Sequence, residues 1–327
     1  ITERHVTYRE GSVKMNPICG TLPKSKLNTT DDLMVFVRDK KEIYELFQVV
    51  DETLKIMANI CTKGGQIVGP FLKEMSTLIH TEYYLEGQSD RHPLDLLKAT
   101  LFAPTMVGSP LKNAARIIKK YEQSSRAYYS SCIVFLGYDE LDQLFLDSAI
   151  TIRTVQIDRL GRCRFQSGAS VVRDSVPQNE LLEIQAKVQS LVQSISGDRS
   201  PMIDLDSVMS DAVQNELSIR NTFLSRFWFD SQQSSQYIRL NKRVLVIDND
   251  DQFSFMLAHM IRTIGYDVDV VSSCNDVFWH QYDAVVLGPG PGNPMDLHDP
   301  RMCAIRDICG RLIDEKKPFL GVCLGHQ

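Results

Sequence analysis

The hydrophobic pattern of the first 195 residues mixes helix and strand signals without regular alternation. Apolar residues recur every three or four positions in three segments, which predicts helices over 40–61, 110–121 and 178–195. Four shorter segments are predicted to be strands: 12–15, 131–137, 149–158 and 163–168. This mixture indicates an α+β domain rather than a wound parallel sheet.

A polar connector follows, with Gly197 and Pro201 as punctuation, a Gln- and Ser-rich cluster at 231–236, and helical character over 205–229. From residue 241 the pattern becomes an alternation of strands (243–248, 267–271, 284–287, 319–322) and helices (252–264, 301–316). Alternation of this kind predicts an open parallel α/β sheet. We therefore expect two domains, 1–195 and 241–327, joined by a linker at 196–240.

Composition excludes several classes of protein. The 327 residues are 43% hydrophobic and 24% charged, which is ordinary for a globular chain with two cores. A net charge of -5 without a basic stripe argues against nucleic acid as a partner, and the longest apolar runs are strand-sized, so no membrane span is expected. Eight cysteines without a CxxC pair favour a reduced, cytoplasmic compartment. The chain begins with Ile and ends directly after a helix-introducing motif, so we expect truncation at both ends.

The last nine residues place Cys323 directly after a predicted strand, between small residues that permit a sharp turn into a helix. Such a turn exposes the sulfur of a nucleophile, although a Gly-flanked Cys is ordinarily a small core residue. The loop Leu287-Gly-Pro-Gly-Pro-Gly-Asn-Pro294 follows another predicted strand and is stiff enough to hold backbone N–H groups as an oxyanion hole. With Val246-Ile-Asp-Asn249, these motifs resemble the class I glutamine amidotransferases over 241–327.

That resemblance implies a flavodoxin-like α/β fold in which Cys323 attacks the side-chain amide of glutamine and releases ammonia. It implies that Gly290 or Gly292, with the amide of Leu324, binds the oxyanion. The activating His and Glu of the family fall beyond residue 327, and His326 matches a motif position rather than the catalytic His. We therefore expect little or no glutaminase activity from these 327 residues alone.

Acidic pairs at a spacing of three mark two predicted helices, Glu42 with Glu45 and Glu180 with Glu183. This spacing puts both carboxylates of a pair on one helix face, which is ordinarily a solvated surface. A divalent-metal site would need the pairs to converge from separate segments. Spacing alone leaves both interpretations open.

Ordered motifs decide between them: Pro17-Ile-Cys-Gly-Thr21, Ile152-Arg153-Thr154, Gln166-Ser-Gly-Ala-Ser170 and Asp174-Ser-Val-Pro-Gln-Asn-Glu180-Leu-Leu-Glu183. Over 1–195 they resemble the catalytic region of anthranilate synthase component I and its chorismate-using relatives. The resemblance implies an α+β chorismate-binding domain with Mg²⁺ held by four carboxylates, those of Glu42, Glu45, Glu180 and Glu183. The ion would grip the ring carboxylate of chorismate.

The same resemblance implies roles for other side chains. Arg153 would bind the enolpyruvyl carboxylate with its planar fork, and Lys187 would add a second cation. His80 would move a proton as a group that titrates near neutral pH. The remaining implied substrate contacts are Gly20, Thr21, Thr105, Tyr129, Gly168 and Ala169.

Departures from the anthranilate synthase motifs at 50–56 and 104–111, together with Leu78-Ile-His80 and the order synthase then amidotransferase, look most like the phenazine-pathway branch. Enzymes of that branch aminate chorismate at C2 with ammonia from glutamine and produce 2-amino-2-deoxyisochorismate. The resemblance also implies a homodimer for the full-length protein. Anthranilate synthase, which also eliminates pyruvate, is the alternative, and aminodeoxychorismate synthase is a third possibility. A non-catalytic relic fits the intact Glu45, Glu183, Arg153 and Cys323 poorly.

Overall fold

The computed structural model describes residues 3–197, 204–230, 232 and 239–327. The chain divides into two compact units, Ile1–Thr53 with Gly65–Ser231 and Leu54–Gly64 with Gln232–Gln327. Within the described residues, no helix is both long and apolar enough to cross a membrane. Each unit is built around its own sheet.

The first unit contains a seven-stranded sheet within the described residues, in the order β3-β5-β2-β1-β7-β6, with β4 paired to β5 beside this path. Its strands are β1 (Arg4–Arg9), β2 (Ser12–Met15), β3 (Ile18–Pro23), β4 (Lys63–Glu74), β5 (Leu78–Gln88), β6 (Cys132–Tyr138) and β7 (Leu144–Ile150). Strand β5 pairs antiparallel with both β2 and β3, and it is buried along most of its length. Two further strands, β8 (Thr154–Ile157) and β9 (Cys163–Gln166), form a separate antiparallel hairpin.

Eight α-helices occur between residues 30 and 219 in the described residues: α1 (Thr30–Arg38), α2 (Lys40–Ile60), α3 (Pro93–Thr100), α4 (Pro104–Val107), α5 (Leu111–Tyr121), α6 (Pro177–Ser196), α7 (Leu205–Val208) and α8 (Asp211–Ile219). All belong to the first unit except the end of α2 from Leu54 onward, which belongs to the second. Local sequence signals explain several boundaries. Thr29 and Asp32 form a reciprocal capping box that begins α1. Pro177 occupies the first position of α6, and Gly197, at φ +72°, ends it in the left-handed conformation.

The predicted helices over 40–61, 110–121 and 178–195 are confirmed as α2, α5 and α6. The single strand predicted at 149–158 is wrong. The structure ends β7 at Ile150 and starts β8 at Thr154, because Arg153 between them has φ +49°. A non-glycine residue in the left-handed region cannot continue a β-ladder.

The segment predicted as a connector contributes to the core of the first unit. Helix α8 packs on α1, and Leu205, Val208, Val213 and Leu217 share a buried cluster with residues of α1. The buried Arg220 guanidinium adds a hydrogen bond from Nε to the carbonyl oxygen of Val37 at 3.2 Å. Residues 198–203, with Pro201, and all of the 231–236 cluster except residue 232 lie outside the described residues.

The second unit has the predicted open parallel sheet, in the order β11-β10-β12-β13. Its strands are β10 (Arg243–Asp248), β11 (Asp267–Ser272), β12 (Ala284–Leu287) and β13 (Phe319–Gly321), and its helices are α9 (Phe253–Thr263) and α10 (Pro300–Asp314). These elements confirm the alternation predicted from residue 241 onward. The two central strands, β10 and β12, are apolar almost without interruption, as expected for parallel strands covered on both faces.

The packing of α8 gives a direct stability prediction. Replacing Leu217 with Ala should lower the free energy of unfolding by about 2–5 kcal/mol, because it leaves a cavity in a cluster where Leu217 is 5% exposed. Guanidinium unfolding followed by circular dichroism measures the change. Ile219→Ala on the same helix, where the side chain is 52% exposed, is the matched control and should change stability by less than about 0.5 kcal/mol. Equal, small effects of both would mean that the segment is a loose linker.

Candidate functional site

Helices α2 and α6 bring the four predicted metal-binding glutamates together around one ammonium group. Lys41 Nζ lies 2.8 Å from Glu45 Oε2 and 3.2 Å from Glu42 Oε1 on its own helix. The same nitrogen lies 3.5 Å from Glu180 Oε1 and 3.5 Å from Glu183 Oε2 on α6. The two acidic pairs therefore converge, as a shared cation site requires. Lys41 itself was not predicted.

The electrostatics of this carboxylate cluster are those of a buried, partly compensated set of charges. Burial raises the pKa of Glu42 to about 7 against the opposing charge of Lys41. Burial acts in the same direction on Glu183, but Lys187 and Lys41 hold the pKa of that carboxyl below its usual value. Three carboxylate oxygens of the cluster, Glu42 Oε2, Glu45 Oε2 and Glu180 Oε2, are buried without a hydrogen-bond partner, and of these Glu45 Oε2 has its ion contact with Lys41. The cluster thus has acceptor capacity that the ammonium leaves unused.

Thr21 and Lys187 fix the orientation of Glu183. Thr21 donates its hydroxyl to Glu183 Oε1 at 3.1 Å, and Lys187 Nζ lies 2.6 Å from the same oxygen. Lys187 also donates to the carbonyl oxygen of Gly168 at 3.1 Å, so its ammonium joins the carboxylate cluster to the loop after β9. This places the predicted substrate-binding Lys187 beside the predicted metal ligands.

Two glycines of this site, Gly20 and Gly168, allow the backbone to lie close to neighbouring side chains. Gly20, at φ +70°, lies against Glu42 Oε2, and a Cβ there would clash with that oxygen. A Cβ on Gly168 would stand 3.0 Å from the hydroxyl of Tyr129, so the loop backbone and the phenol are neighbours. Ala169, next to Gly168, is half-buried.

His80 and Arg153 form a second cluster beside the first. His80 Nδ1 donates to the carbonyl oxygen of Gly20, and Arg153 Nη2 donates to His80 Nε2 at 2.7 Å. Burial, assisted by the charge of Arg153, lowers the pKa of His80 to about 3. The expectation of a group that titrates near neutral pH is therefore not met, because the imidazole is neutral and both of its nitrogens are engaged.

Arg153 keeps binding capacity in spite of this contact. Its Nε is buried without a hydrogen-bond partner. Burial lowers the pKa of the guanidinium to about 10, with Glu3 and Glu183 opposing the shift, so Arg153 is charged at neutral pH. A buried cation with an unused donor suits a carboxylate ligand.

Glu3 is a member of the site that the sequence reasoning missed. Burial raises the pKa of its carboxyl to about 8, with the Thr105 side chain and Arg153 opposing the shift, so the group is protonated at neutral pH. The predicted Thr105 lines one small cavity with Glu3. A single Glu near the start of the chain has no spacing signal, and only its burial beside Arg153 marks it.

The four glutamates fit a hard divalent cation in their donor chemistry. They offer only carboxylate oxygens, which Mg²⁺ prefers, and three of those oxygens are buried without a hydrogen-bond partner. As the side chains stand around Lys41, no group of three or more His, Cys, Asp or Glu in the described part of the chain has metal-binding geometry. The four glutamates are close together, and the ammonium group of Lys41 lies between them.

In the second unit, Cys323 lies on the strained turn that the sequence predicts. Its φ is +52°, and the turn from Cys323 to Gly325 follows β13 directly. A Cβ on Gly321 would lie 2.5 Å from the carbonyl oxygen of Gly325, and a Cβ on Gly325 would clash with the carbonyl oxygen of Leu287. Glycine is therefore required on both sides, and the Cys323 side chain is exposed.

The glycine-rich loop after β12 meets this turn at one of the two predicted oxyanion positions. A Cβ on Gly290 would lie 3.1 Å from Leu324 Cδ2, so Gly290 borders the turn that contains Cys323. Gly292 lies instead against Met302 of α10. Asn249 Nδ2 donates to the carbonyl oxygen of Gly288 at 2.8 Å and holds the loop against the end of β10. Of the two glycines, the geometry favours Gly290 as the partner of Leu324.

Comparisons with known proteins match two parts of the chain to two families. Residues 2–193 match the family of chorismate binding enzymes, and residues 245–327 match the class-I glutamine amidotransferase family. The chain is 40% identical over 330 residues to the phenazine-specific anthranilate synthase of Pseudomonas chlororaphis, a match that covers 99% of this chain and 51% of that protein. It is 26% identical over 338 residues to the anthranilate synthase of Azospirillum brasilense, covering 99% of this chain and 41% of that protein.

Among solved structures, the menaquinone-specific isochorismate synthase of Escherichia coli matches with a TM-score of 0.50 at 19% identity, covering 58% of this chain and 44% of that one. The predicted succession of an α+β chorismate-binding fold and an α/β amidotransferase fold is confirmed. The chain spans about half the length of the curated relatives it matches.

The packing around Gly325 predicts a strong effect of one added methyl group. Gly325→Ala should lower the stability of the second unit by about 1–3 kcal/mol, because the methyl group has no space beside Leu287. Gly310→Ala is the matched control, since a Cβ there meets nothing within 4 Å and helix α10 should gain up to about 1 kcal/mol. Thermal unfolding of both variants measures the difference. A neutral Gly325→Ala would show that the turn is looser than described.

The environment of His80 predicts its titration. Nitrogen-detected NMR of the imidazole, assigned with His80→Gln, should show a neutral ring protonated at Nδ1 and no titration between about pH 5 and 8. The unfolded chain takes up a proton below about pH 6.5. The wild-type free energy of unfolding should therefore fall as pH drops from there toward the folded pKa of about 3. His80→Gln should lose this part of the pH dependence, and a midpoint near 6.5 for His80 in the folded protein would contradict its burial.

Proposed function

Because the chain belongs to the chorismate-binding enzyme family, we propose that the full-length protein aminates chorismate at C2 with nitrogen from glutamine, giving 2-amino-2-deoxyisochorismate. The observation that carries this proposal is the convergence of four glutamates from α2 and α6 beside the Arg153–His80 pair. It supplies a cation site and a separate guanidinium for a substrate with two carboxylates. The matching amidotransferase region supplies a source of ammonia.

In this proposal Glu42, Glu45, Glu180 and Glu183 hold Mg²⁺. The partnerless oxygens of Glu42 and Glu180 support this assignment, because buried acceptors without partners are costly unless a ligand satisfies them. When bound, the ion would serve as template and Lewis acid for the ring carboxylate of chorismate. Thr21 and Lys187 keep Glu183 oriented toward the cluster.

Arg153 is proposed to bind the second carboxylate of the substrate, on the enolpyruvyl group. The unpaired Nε of Arg153 and its Nη2, which donates to His80, lie in the same planar guanidinium group. This arrangement suits bidentate binding of a carboxylate. His80 then acts by orienting Arg153, since its lone pair at Nε2 accepts from the guanidinium. The Gly20 carbonyl oxygen accepts from His80, and Gly168 lies against Tyr129, so we propose that these residues and Ala169 contact the substrate beside Arg153.

A proton donor is needed when the ring hydroxyl of chorismate leaves as water. We propose Glu3 as this donor. Its carboxyl is protonated at neutral pH because burial raises its pKa to about 8. His80 is a poor donor, since its ring is neutral and its Nδ1 proton is held by the carbonyl oxygen of Gly20. We therefore assign proton donation to Glu3 and positioning to His80.

Cys323 is proposed to attack the glutamine amide, with the backbone amides of Gly290 and Leu324 stabilising the oxyanion. The exposed sulfur on a strained turn and the contact between Gly290 and Leu324 support this arrangement. Gly292 is a weaker second donor, because it lies against Met302.

Anthranilate synthesis is the second candidate function, because relatives of this chain are named anthranilate synthases. The Pseudomonas chlororaphis relative is named an anthranilate synthase with phenazine specificity. Amination is common to both reactions, and only the later elimination of pyruvate separates them. The higher identity to the phenazine-specific relative, 40% against 26% for the Azospirillum enzyme, favours the product that retains the enolpyruvyl group.

The test uses the full-length protein with chorismate, Mg²⁺ and either glutamine or ammonium. We expect a non-aromatic amine that keeps the enolpyruvyl group, identified by mass, whereas fluorescent anthranilate with pyruvate would move the protein to the second function. Cys323→Ser should lose the glutamine-dependent rate by at least about a thousandfold and keep the ammonium-dependent rate. Cys303→Ser, at another exposed cysteine, is the control and should leave both rates unchanged. Absence of any chorismate turnover in the wild type would overturn the proposal.

A further inference from the structure

The ammonium group of Lys41 stands where a cation must stand to touch all four glutamates. It lies within 3.5 Å of an oxygen of each of Glu42, Glu45, Glu180 and Glu183. We infer that Lys41 is a displaceable internal counter-ion, which fills the carboxylate cluster in the metal-free protein and must leave before a divalent cation binds. This inference rests on the proposed magnesium site and adds a competitor to it.

Lys41 and the metal ion exclude one another on grounds of space and charge. Mg²⁺ binds carboxylate oxygens at about 2.0–2.1 Å and requires several of them at once. An ion held by oxygens of both helices would fall within contact distance of the present position of Lys41 Nζ, which is 2.8 Å from Glu45 and 3.5 Å from Glu183. Two cations in such close contact repel strongly in a site of low dielectric constant.

The ammonium group of Lys41 leaves some carboxylate oxygens of the cluster without a hydrogen-bond partner. This incomplete pairing is expected of a group that a metal ion can displace. An ammonium group has three donors, whereas four carboxylates present many more acceptor positions. Glu42 Oε2 and Glu180 Oε2 remain buried without partners, in residues that are 9% and 7% exposed. A cation with a larger coordination number would use the oxygens that Lys41 leaves unused.

The position of Lys41 in the chain allows its side chain to move from the carboxylate cluster into solvent. It lies in the first turn of α2, next to the exposed Lys40 and Asp39, and its long flexible stem can rotate toward solvent while the helix stays in place. Lys187 differs, because its ammonium is tied to the carbonyl oxygen of Gly168 at 3.1 Å as well as to Glu183 at 2.6 Å. Of the two lysines, Lys41 is therefore the one that exchanges.

Because of this competition, the apparent dissociation constant for the metal equals the intrinsic constant divided by the fraction of molecules in which Lys41 has left the site. Without Lys41 the metal would bind more tightly. The metal-free cluster would also lose its compensating charge, and buried carboxylates without a counter-ion destabilise the fold. Lys41 thus keeps α2 and α6 together when no metal is bound and lets the metal exchange.

The experiment titrates Mn²⁺, whose EPR signal reports binding to oxygen ligands, into the substrate-free full-length protein. Lys41→Met should lower the Mn²⁺ dissociation constant by about tenfold or more, the change expected if about nine-tenths of wild-type molecules hold the ammonium in the site. Lys40→Met removes the same charge one residue away on an exposed side chain and should bind Mn²⁺ as the wild type does. Glu183→Gln should weaken binding in both backgrounds. In EDTA, Lys41→Met should melt at a lower temperature than the wild type and regain more on addition of Mn²⁺.

Equal or weaker Mn²⁺ binding by Lys41→Met would overturn the counter-ion role and leave the proposed magnesium site standing. Absence of any saturable binding that Glu183→Gln removes, in wild type and Lys41→Met alike, would overturn the magnesium site and this inference with it. If Lys41→Met does not fold, Lys41→Gln carries the same test, because its neutral amide still donates hydrogen bonds to the carboxylates. Tighter binding by either variant, with Lys40→Met unchanged, supports the inference.

Discussion

The first unit depends on holding four carboxylates of like charge in one buried place. Helices α2 and α6 each contribute two glutamates at a spacing of three, and their side chains are at most 12% exposed. Such a group repels itself unless cations compensate it. Lys41 at the centre and Lys187 at the edge supply that charge, and Thr21 adds a hydrogen bond. The ion pairs that join α2 to α6 therefore depend on this charge compensation.

A second set of contacts joins this cluster to the part of the site that is proposed to bind the substrate. Gly20 lies against Glu42 through its Cα and accepts from His80 through its carbonyl oxygen, and His80 accepts from Arg153. Arg153 reaches this place only because its backbone adopts φ +49° between β7 and β8. Non-glycine residues in that region are strained by roughly 1–3 kcal/mol, a strain that is found at functional sites when surrounding contacts fix it. The error in the predicted strand 149–158 falls at this residue, because periodicity reports only the regular segments on either side.

Sequence patterns predicted the second unit more completely than the first, for a physical reason. In a parallel sheet, strands, turns and helices follow one another locally, so the nucleophile turn at Cys323 and the loop at Gly290 carry their own signals. In the first unit the site joins residues more than a hundred positions apart. The spacing of Glu42 with Glu45 indicates a shared helix face, but only the resemblance to a family suggested that Glu180 and Glu183 meet them. Lys41 and Glu3 escaped prediction because a lysine beside an acidic helix and a lone glutamate are ordinarily surface residues, and only burial reveals their roles.

The two units secure their reactive groups by opposite means. At Cys323 the backbone itself is the constraint: Gly321 and Gly325 are required because neighbouring carbonyl oxygens occupy the space of a side chain. Such a site is rigid before any ligand arrives, which suits an oxyanion hole whose donors must already point at the developing charge. The carboxylate cluster is defined by charge, and its occupant can change while the helices stay in place. Steric substitutions should therefore damage the nucleophile turn most, whereas changes of charge should decide what the carboxylate cluster binds.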